Sequence, residues 1–434
     1  MNNAPPKAKK SKNYRSPNLS KKLMMAVVFC CSLLLGGCWD SSELQYFGVV
    51  SGIAVDIIAP DEQNGEDRIL LTISISKLDA AGSGEKKYDI YQAHGKNISD
   101  AVRNLSNVVN RQIFWGHDQI LLLGEGVQKE GINKHLEALI RSSKIRTSIA
   151  LIAVEGNAAD YLDSEGVNNV IFSYNQGSMF DISQRQGYLT VNRVSLQNYL
   201  EQSCWGYASL LLPHAIRKES LAQESSQTSM NTANSKAQAK PQAGNADKES
   251  RTVYFDGMTV FSAEGNLAGY LNQEETLAAM LWRNEIKTFT LTFTPQGVKA
   301  PVSFFIYGFK LKKNWKNIKE KQGDKQVFSL HVDCTTALAE DANGMDFFST
   351  EGMETAVFFV NQELEKIFRL VWEKALAMKE DFLMAGDYLY RYKNREWDNY
   401  AADWPLGMEN FVLDIEIKNA FINSGDVRYS LSKQ

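Results

Sequence analysis

One stretch of this chain, Leu23 to Leu35 (LMMAVVFCCSLLL), runs for thirteen residues without a charge. At ~1.5 Å per residue, a helix of that length spans ~20 Å, short of the ~30 Å hydrocarbon core of a bilayer. It is the only long apolar run in the 434 residues, which excludes a polytopic helical membrane protein. Residues 1–22 carry seven basic groups (Lys7, Lys9, Lys10, Lys12, Arg15, Lys21 and Lys22) and no acid. A basic stretch followed by a short apolar run is the pattern of a secretory signal. The formal charge of −4 therefore averages two parts, and without those seven groups the remainder stands at −11. A hydrophobic content of 44% suffices for sizeable cores and excludes collagen-like, disordered and disulfide-stapled classes. The length points to two or three domains.

The apolar run ends in Leu35-Gly36-Gly37-Cys38. Small residues before a cysteine at this place resemble the bacterial lipobox. Cleavage between Gly37 and Cys38 would leave Cys38 at the new N-terminus, its thiol joined by a thioether to diacylglycerol. Two acyl chains give stable anchoring, at ~0.8 kcal/mol for each buried CH₂. The competing reading is an uncleaved signal anchor with Cys38 unmodified. On the first reading, removal of residues 1–37 leaves 397 residues outside the cytoplasmic membrane. Cys30 and Cys31 leave with the signal, and Cys204 and Cys334 remain. One disulfide is open to them, but two separate buried thiols fit better, because cysteine is too sparse for a disulfide scaffold.

Strands and helices interleave along the rest. Residues 48–58 and 68–78 are β-branched and apolar, and predict a strand pair. Ser99 is the expected cap of a helix with Val102, Leu105 and Val109 on one face. Gln119 to Leu123 and Ser148 to Val154 predict strands, with a helix from Val127 to Arg141 between them bearing Ile132, Leu136, Leu139 and Ile140. A short helix after Asn157 and another near Val194 to Leu200 precede a strand, Ala208 to Leu212, closed by Pro213. Residues 218–250 contain no aromatic residue, and Leu221 and Met230 are their only large aliphatics, which predicts a flexible linker. Val253–Phe261 and Leu267–Leu271 form a hairpin pattern, then a helix runs from Glu274 to about Asn284. Strands at Phe289–Phe293, Val302–Lys310, Val327–Val332 and Phe411–Lys418 frame a long helix, roughly Glu354 to Phe382. The expected class is α+β: mixed domains of sheets flanked by helices, after a cleaved lipoprotein signal peptide. The expected division is signal 1–37, an N-terminal region 38–217 split near 155, an insert 218–250, and a C-terminal region 251–434.

Few residues offer chemistry. No two of His94, His117, His135, His214 and His331 stand at i, i+4, HExxH is absent, and no metal site is expected. GxSxG, the phosphate-binding loop and CxxC are also absent, and Gly124-Glu125-Gly126 lacks the third glycine of GxGxxG. Ser74-Ile75-Ser76-Lys77 and Ser83-Gly84-Glu85-Lys86 match SxxK without its companion motifs. His117-Asp118 is a catalytic pair on paper, but no nucleophile is placed beside it. Seven lysines between Lys310 and Lys325, with Trp315 among them, read as a solvated hairpin or as a contact for anionic lipid or an acidic partner. Trp397 and Trp404 stack a ligand or pack a core. A nucleic-acid role conflicts with export.

Three blocks together resemble the Ger(x)C family, the lipoprotein C subunits of spore germinant receptors. The first is Cys38-Trp39-Asp40 with Glu43-Leu44, leading into Val49-Val50-Ser51-Gly52-Ile53-Ala54-Val55-Asp56. The second runs from His117 to Gly156, with Gly124-Glu125-Gly126 and the basic pair Arg141 and Arg146. The third is Glu380-Asp381-Phe382-Leu383-Met384-Ala385-Gly386, then Leu389-Tyr390-Arg391 and Trp397. Gly257 to Trp282 resembles a fourth family segment, which carries an E-T pair. The family pattern has Gly where Ala54 and Ala278 stand and Phe where Met384 stands. The resemblance implies three mixed α+β domains and a non-catalytic protein without cofactors, assembled with integral-membrane A and B subunits in the spore inner membrane and responding to nutrients. Only Cys38 carries over as a site, for lipid attachment. The competing class is a solute-binding lipoprotein of a membrane importer, which shares the lipobox and the mixture of strands and helices. A third class is a secreted hydrolase.

Overall fold

The computed structural model describes residues 21, 23–28, 46–59, 66, 68–77, 88–141, 145–162, 191–204, 208–219, 251–320 and 323–422, without the side chains of 218–219, 251–252, 319–320 and 323–325. Two compact units divide the chain, residues 1–47 and 48–434. In the first, residues 23–28 are helical and exposed. Cys38, Gly37, the segment 220–250 and Ser83 to Lys86 lie outside the described residues.

The larger unit is α+β, as expected. In chain order it runs β1 (Phe47–Ile57), β2 (Ile69–Ser76), β3 (Tyr88–Gly95), α1 (Ile98–Val108), β4 (Gln112–Phe114), β5 (Ile120–Leu123), α2 (Glu125–Glu130), α3 (Asn133–Arg141), β6 (Ala150–Val154), α4 (Ala159–Leu162), α5 (Leu196–Ser203), β7 (Leu210–Glu219), β8 (Arg251–Phe261), β9 (Leu267–Leu271), α6 (Gln273–Trp282), β10 (Phe289–Phe293), β11 (Val302–Glu320), β12 (Gly323–Asp341), α7 (Thr350–Met378), α8 (Ala385–Tyr392), α9 (Asn394–Trp397) and β13 (Phe411–Phe421). One sheet has the order β3-β2-β1-β5-β6-β7-β8-β9, with β4 also on β1; a second has the order β10-β11-β12-β13. β1, β5, β6 and β7 are mutually parallel, and antiparallel pairs flank them on both sides.

The uninterrupted apolar run of β5 follows from its place. A strand buried on both faces cannot alternate polar with apolar. Ile120 and Leu122 enter one core with Ala54, Ala150 and Ile152. Leu121 and Leu123 enter another with Ile53, Leu71, Leu105 and Leu136. The first core continues through α6, α7 and the second sheet, where Trp282 stacks on Trp372 at 5.4 Å between ring centres and Phe328 joins both. In α7, Val360, Leu364, Ile367, Phe368, Val371 and Ala375 are buried as their spacing predicts, while Arg369 pairs with Glu365 at the surface.

Several local expectations change. The cap of α1 is Asn97, whose side chain accepts the Asp100 N–H, in place of Ser99. The helix expected over 127–141 breaks at Gly131 (φ 95°) into α2 and α3, and Ile140 is exposed. Pro213 does not end its strand: β7 continues to Glu219, because a bulge between Pro213 and Ala215 absorbs the missing N–H. β7 then pairs with β8, so one sheet spans both sides of residues 220–250. Cys204 is exposed, not buried; Cys334 is buried, both are free thiols, and burial pushes the Cys334 thiol up to about 12.

Candidate functional site

The residues that carry the sequence motifs converge on buried carboxylates and amides that hold backbone. Asp56, at the end of β1, is 2% exposed. Its Oδ1 accepts the Ala158 N–H at 2.6 Å and its Oδ2 the Ala159 N–H at 2.9 Å, a reach of about a hundred residues along the chain. Burial raises the Asp56 pKa and the two N–H donors oppose that shift. Gly124 closes this junction: a Cβ there would lie 2.0 Å from Asp56 Oδ1. Gln128 sits one turn into α2 and donates from Nε2 to the carbonyls of Leu123 and Val154, both at 2.8 Å, tying the ends of β5 and β6. A Gly124→Ala variant is expected to lose roughly 2–3 kcal/mol of stability, because the new methyl group displaces a buried carboxylate and not a pliable side chain. Urea unfolding of the purified chain measures it.

The E-T pair is a helix start. Asn272 caps α6 by accepting from Glu275 N–H at 2.9 Å, and Glu275 returns a bond to the Asn272 N–H at 2.9 Å. Lys374 of α7 pairs with Glu275 at 3.1 Å, joining the two helices.

The third block forms the densest polar centre. Asp381 is fully buried. Its carboxylate accepts the N–H of Ala385 at 2.9 Å, the N–H of Gly386 at 2.7 Å and the indole Nε1–H of Trp404 at 2.9 Å. The chain reaches this geometry through Met384, whose φ of 56° lies in the left-handed region. Gly386 admits the indole, since a Cβ there would stand 2.5 Å from Trp404 Nε1. Burial raises the Asp381 pKa, and the three donors together with the nearby charge of Lys313 oppose it. Lys313 donates from Nζ to the Leu383 carbonyl at 3.1 Å, and burial pushes its ammonium down to about 8. Trp404 packs edge-on against Trp397 at 5.3 Å, so both serve the core and not a ligand stack.

The other candidates separate. His117 is exposed while Asp118 is 3% exposed, and among the described residues no hydrogen bond joins them. The Asp118 carboxylate is buried, and burial pushes its pKa up to about 7, while the backbone N–H and the charge of Arg146 oppose that shift. Ser74 is buried and shares a 2.8 Å hydrogen bond with Ser51, and Lys77 pairs with Asp89 at 3.0 Å, which removes the SxxK reading. Lys310, Lys312 and Lys316 are exposed on β11, and Trp315 is buried on the opposite side. Among the described residues no group of three or more His, Cys, Asp or Glu is placed to hold a metal, and no helix is long and apolar enough to cross a membrane.

This scaffold is shared with known proteins. The family model "Spore germination protein N-terminal domain" matches residues 40–214, and "Spore germination B3/ GerAC like, C-terminal" matches residues 256–425. Two relatives from Bacillus subtilis (strain 168) match over most of their length. Spore germination protein KC is 23% identical across 88% of this chain and 91% of its own, and spore germination protein B3 is 24% identical across 93% and 98%. The crystal structure of the GerBC protein superposes with a TM-score of 0.52 at 18% identity, covering 86% of this chain and 97% of that one. The chain belongs to the Ger(x)C family of spore germination proteins, the germinant receptor C subunits. Asp56, Gly124, Asp381 and Gly386 lie in the blocks that resemble the family, and their hydrogen bonds and close contacts make them framework residues.

Proposed function

We propose that this chain is a non-catalytic, lipid-anchored subunit of a spore nutrient receptor, assembled with integral-membrane A and B subunits. The observation that carries the reading is the use of the motif groups: Asp56, Gln128, Glu275 and Asp381 are all buried and bonded to backbone, and none faces solvent to turn over a substrate. A chain whose motif positions build a frame, in a family of receptor subunits, works by being bound. The proposed division is cleavage after Gly37, an N-terminal region 38–217 with a split near 155, an insert 218–250 and a C-terminal region 251–434. Diacylated Cys38 would hold the mature chain on the outer face of the cytoplasmic (spore inner) membrane. Tethering on a short linker raises the local concentration of a membrane partner toward the mM range, so a modest interface is enough for assembly. Labelled palmitate is expected to enter the wild-type chain and not Cys38→Ala. In the variant, the chain moves to the soluble fraction and no longer co-purifies with A and B subunits. Label on Cys38→Ala, or wild-type chain that purifies from spore membranes without either subunit, would overturn this reading.

A further inference from the structure

A second feature lies apart from the motif centres, where the start of β2 meets the first turn of α1 and the α2–α3 corner. A cavity of about 240 Å³ opens there. Its walls are of two kinds. Ile57, Ile69, Ile98 and Ala138 supply an apolar floor, while Arg68, Lys96, Lys134 and His135 supply the rim, with Glu130 as its acid. Glu130 is heavily shared: Arg68 and Lys134 both pair with it, the latter at 2.5 Å. Lys96 reaches Glu66 at 2.7 Å. Three cations, Arg68, Lys96 and Lys134, thus line the cavity with one carboxylate, and Lys96 is further engaged outside it by Glu66.

His135 is an independent sign of a missing acceptor. It is 8% exposed, and its Nε2 is buried with no hydrogen-bond partner; the Glu130 oxygen stands 3.6 Å away, outside hydrogen-bond distance. A buried polar nitrogen without a partner is unfavourable, and an arriving acceptor relieves that cost. Burial holds the His135 pKa below its ordinary value, so the ring is neutral near pH 7 and donates one N–H.

We propose that this cavity binds a small organic carboxylate with an apolar body, its carboxylate on Arg68, Lys134 and the His135 Nε2–H and its hydrocarbon on the isoleucine floor. The floor selects against inorganic anions, which have nothing to bury there. The volume selects for small ligands, since drug-sized ones occupy pockets of ~300 Å³ and upward. The site is built from β2 and α1–α3, and it does not depend on the lipid anchor.

The test uses the full-length chain purified in detergent, with pentanoate, pentanol and inorganic phosphate as probes. Binding is followed by titration calorimetry and by the His135 resonance in histidine-labelled protein, assigned among the five histidines by His135→Asn. Pentanoate is expected to saturate one site, to raise the His135 pKa, and to bind at least tenfold more tightly than pentanol or phosphate. Arg68→Gln is expected to weaken it at least tenfold. Glu130→Gln, which removes the competing carboxylate, is expected to tighten it severalfold. If Arg68→Gln fails to fold, Lys134→Gln serves, its side chain being half exposed. Phosphate binding as tightly as pentanoate, pentanol binding as tightly as pentanoate, or saturation without a His135 response would each overturn the proposal.

Discussion

Replacing Asp381 with alanine is expected to lower the stability of the chain by roughly 3–5 kcal/mol, the largest loss for any single side chain in the two motif centres. The substitution leaves the N–H groups of Ala385 and Gly386 and the indole N–H of Trp404 without their common acceptor. Each buried donor left unsatisfied costs ~1–3 kcal/mol, and relaxation of the loop keeps the total below their sum. Lys313, which the Asp381 charge favours in its ionised form, also loses that partner. Asp381→Asn keeps the shape but turns one acceptor into a donor facing an N–H, and is expected to fall between wild type and alanine. The control is Asp387→Ala on α8, the helix that follows Asp381. Asp387 pairs with Arg391 at 2.7 Å at i, i+4 on the helix surface, an interaction of ~0.3–0.5 kcal/mol. Denaturant midpoints of the three variants give the ranking directly.

Asp118 supplies the second large effect, and its sign depends on pH. Its pKa rises from 3.8 to about 7 in the folded chain, mainly because burial disfavours the charged form. The folded chain therefore holds this proton while the unfolded chain releases it. Stability falls as pH climbs from ~3.8 to ~7 and levels off above that window. At 1.36 kcal/mol for each pH unit, the gap sets a ceiling of roughly 4 kcal/mol. Asp118→Asn removes the titration. The variant is expected to match wild type within about 1 kcal/mol at pH 4.5 and to exceed it by up to ~4 kcal/mol at pH 8. Unfolding curves at those two pH values decide it; a wild-type advantage at pH 8 would show that the ionised carboxylate is stabilised in the folded chain.

The sequence was most legible where burial is two-sided or periodic. The β5 run and the α7 stripe declare themselves because every residue, or every third and fourth, faces apolar neighbours. β3 (YDIYQAHG) went unread because it is a sheet edge among the described residues, with half-buried polar positions that blur the period. Pro213 points to a strand end because nothing local announces a bulge. The motif centres were visible as patterns but not as mechanism. An aspartate closing an apolar strand, as Asp56 does, signals a buried acid, yet its donors at Ala158 and Ala159 are supplied by the fold. For Asp381, two donors are local, while the third is Trp404, beyond two intervening helices. The β2–α1–α3 cavity has no local signature in the sequence. Its residues are scattered from Ile57 to Ala138, and each alone is an ordinary surface lysine, arginine or core isoleucine.

The framework is proposed to serve a nutrient receptor in the spore membrane. Spores lacking the gene, in a strain without a compensating paralogue, test it most directly when germination is followed nutrient by nutrient. The predicted result is loss or slowing of germination with one class of nutrient, normal vegetative growth, and rescue by the wild-type gene but not by Cys38→Ala. Normal germination of the deletion spores with every nutrient would contradict it.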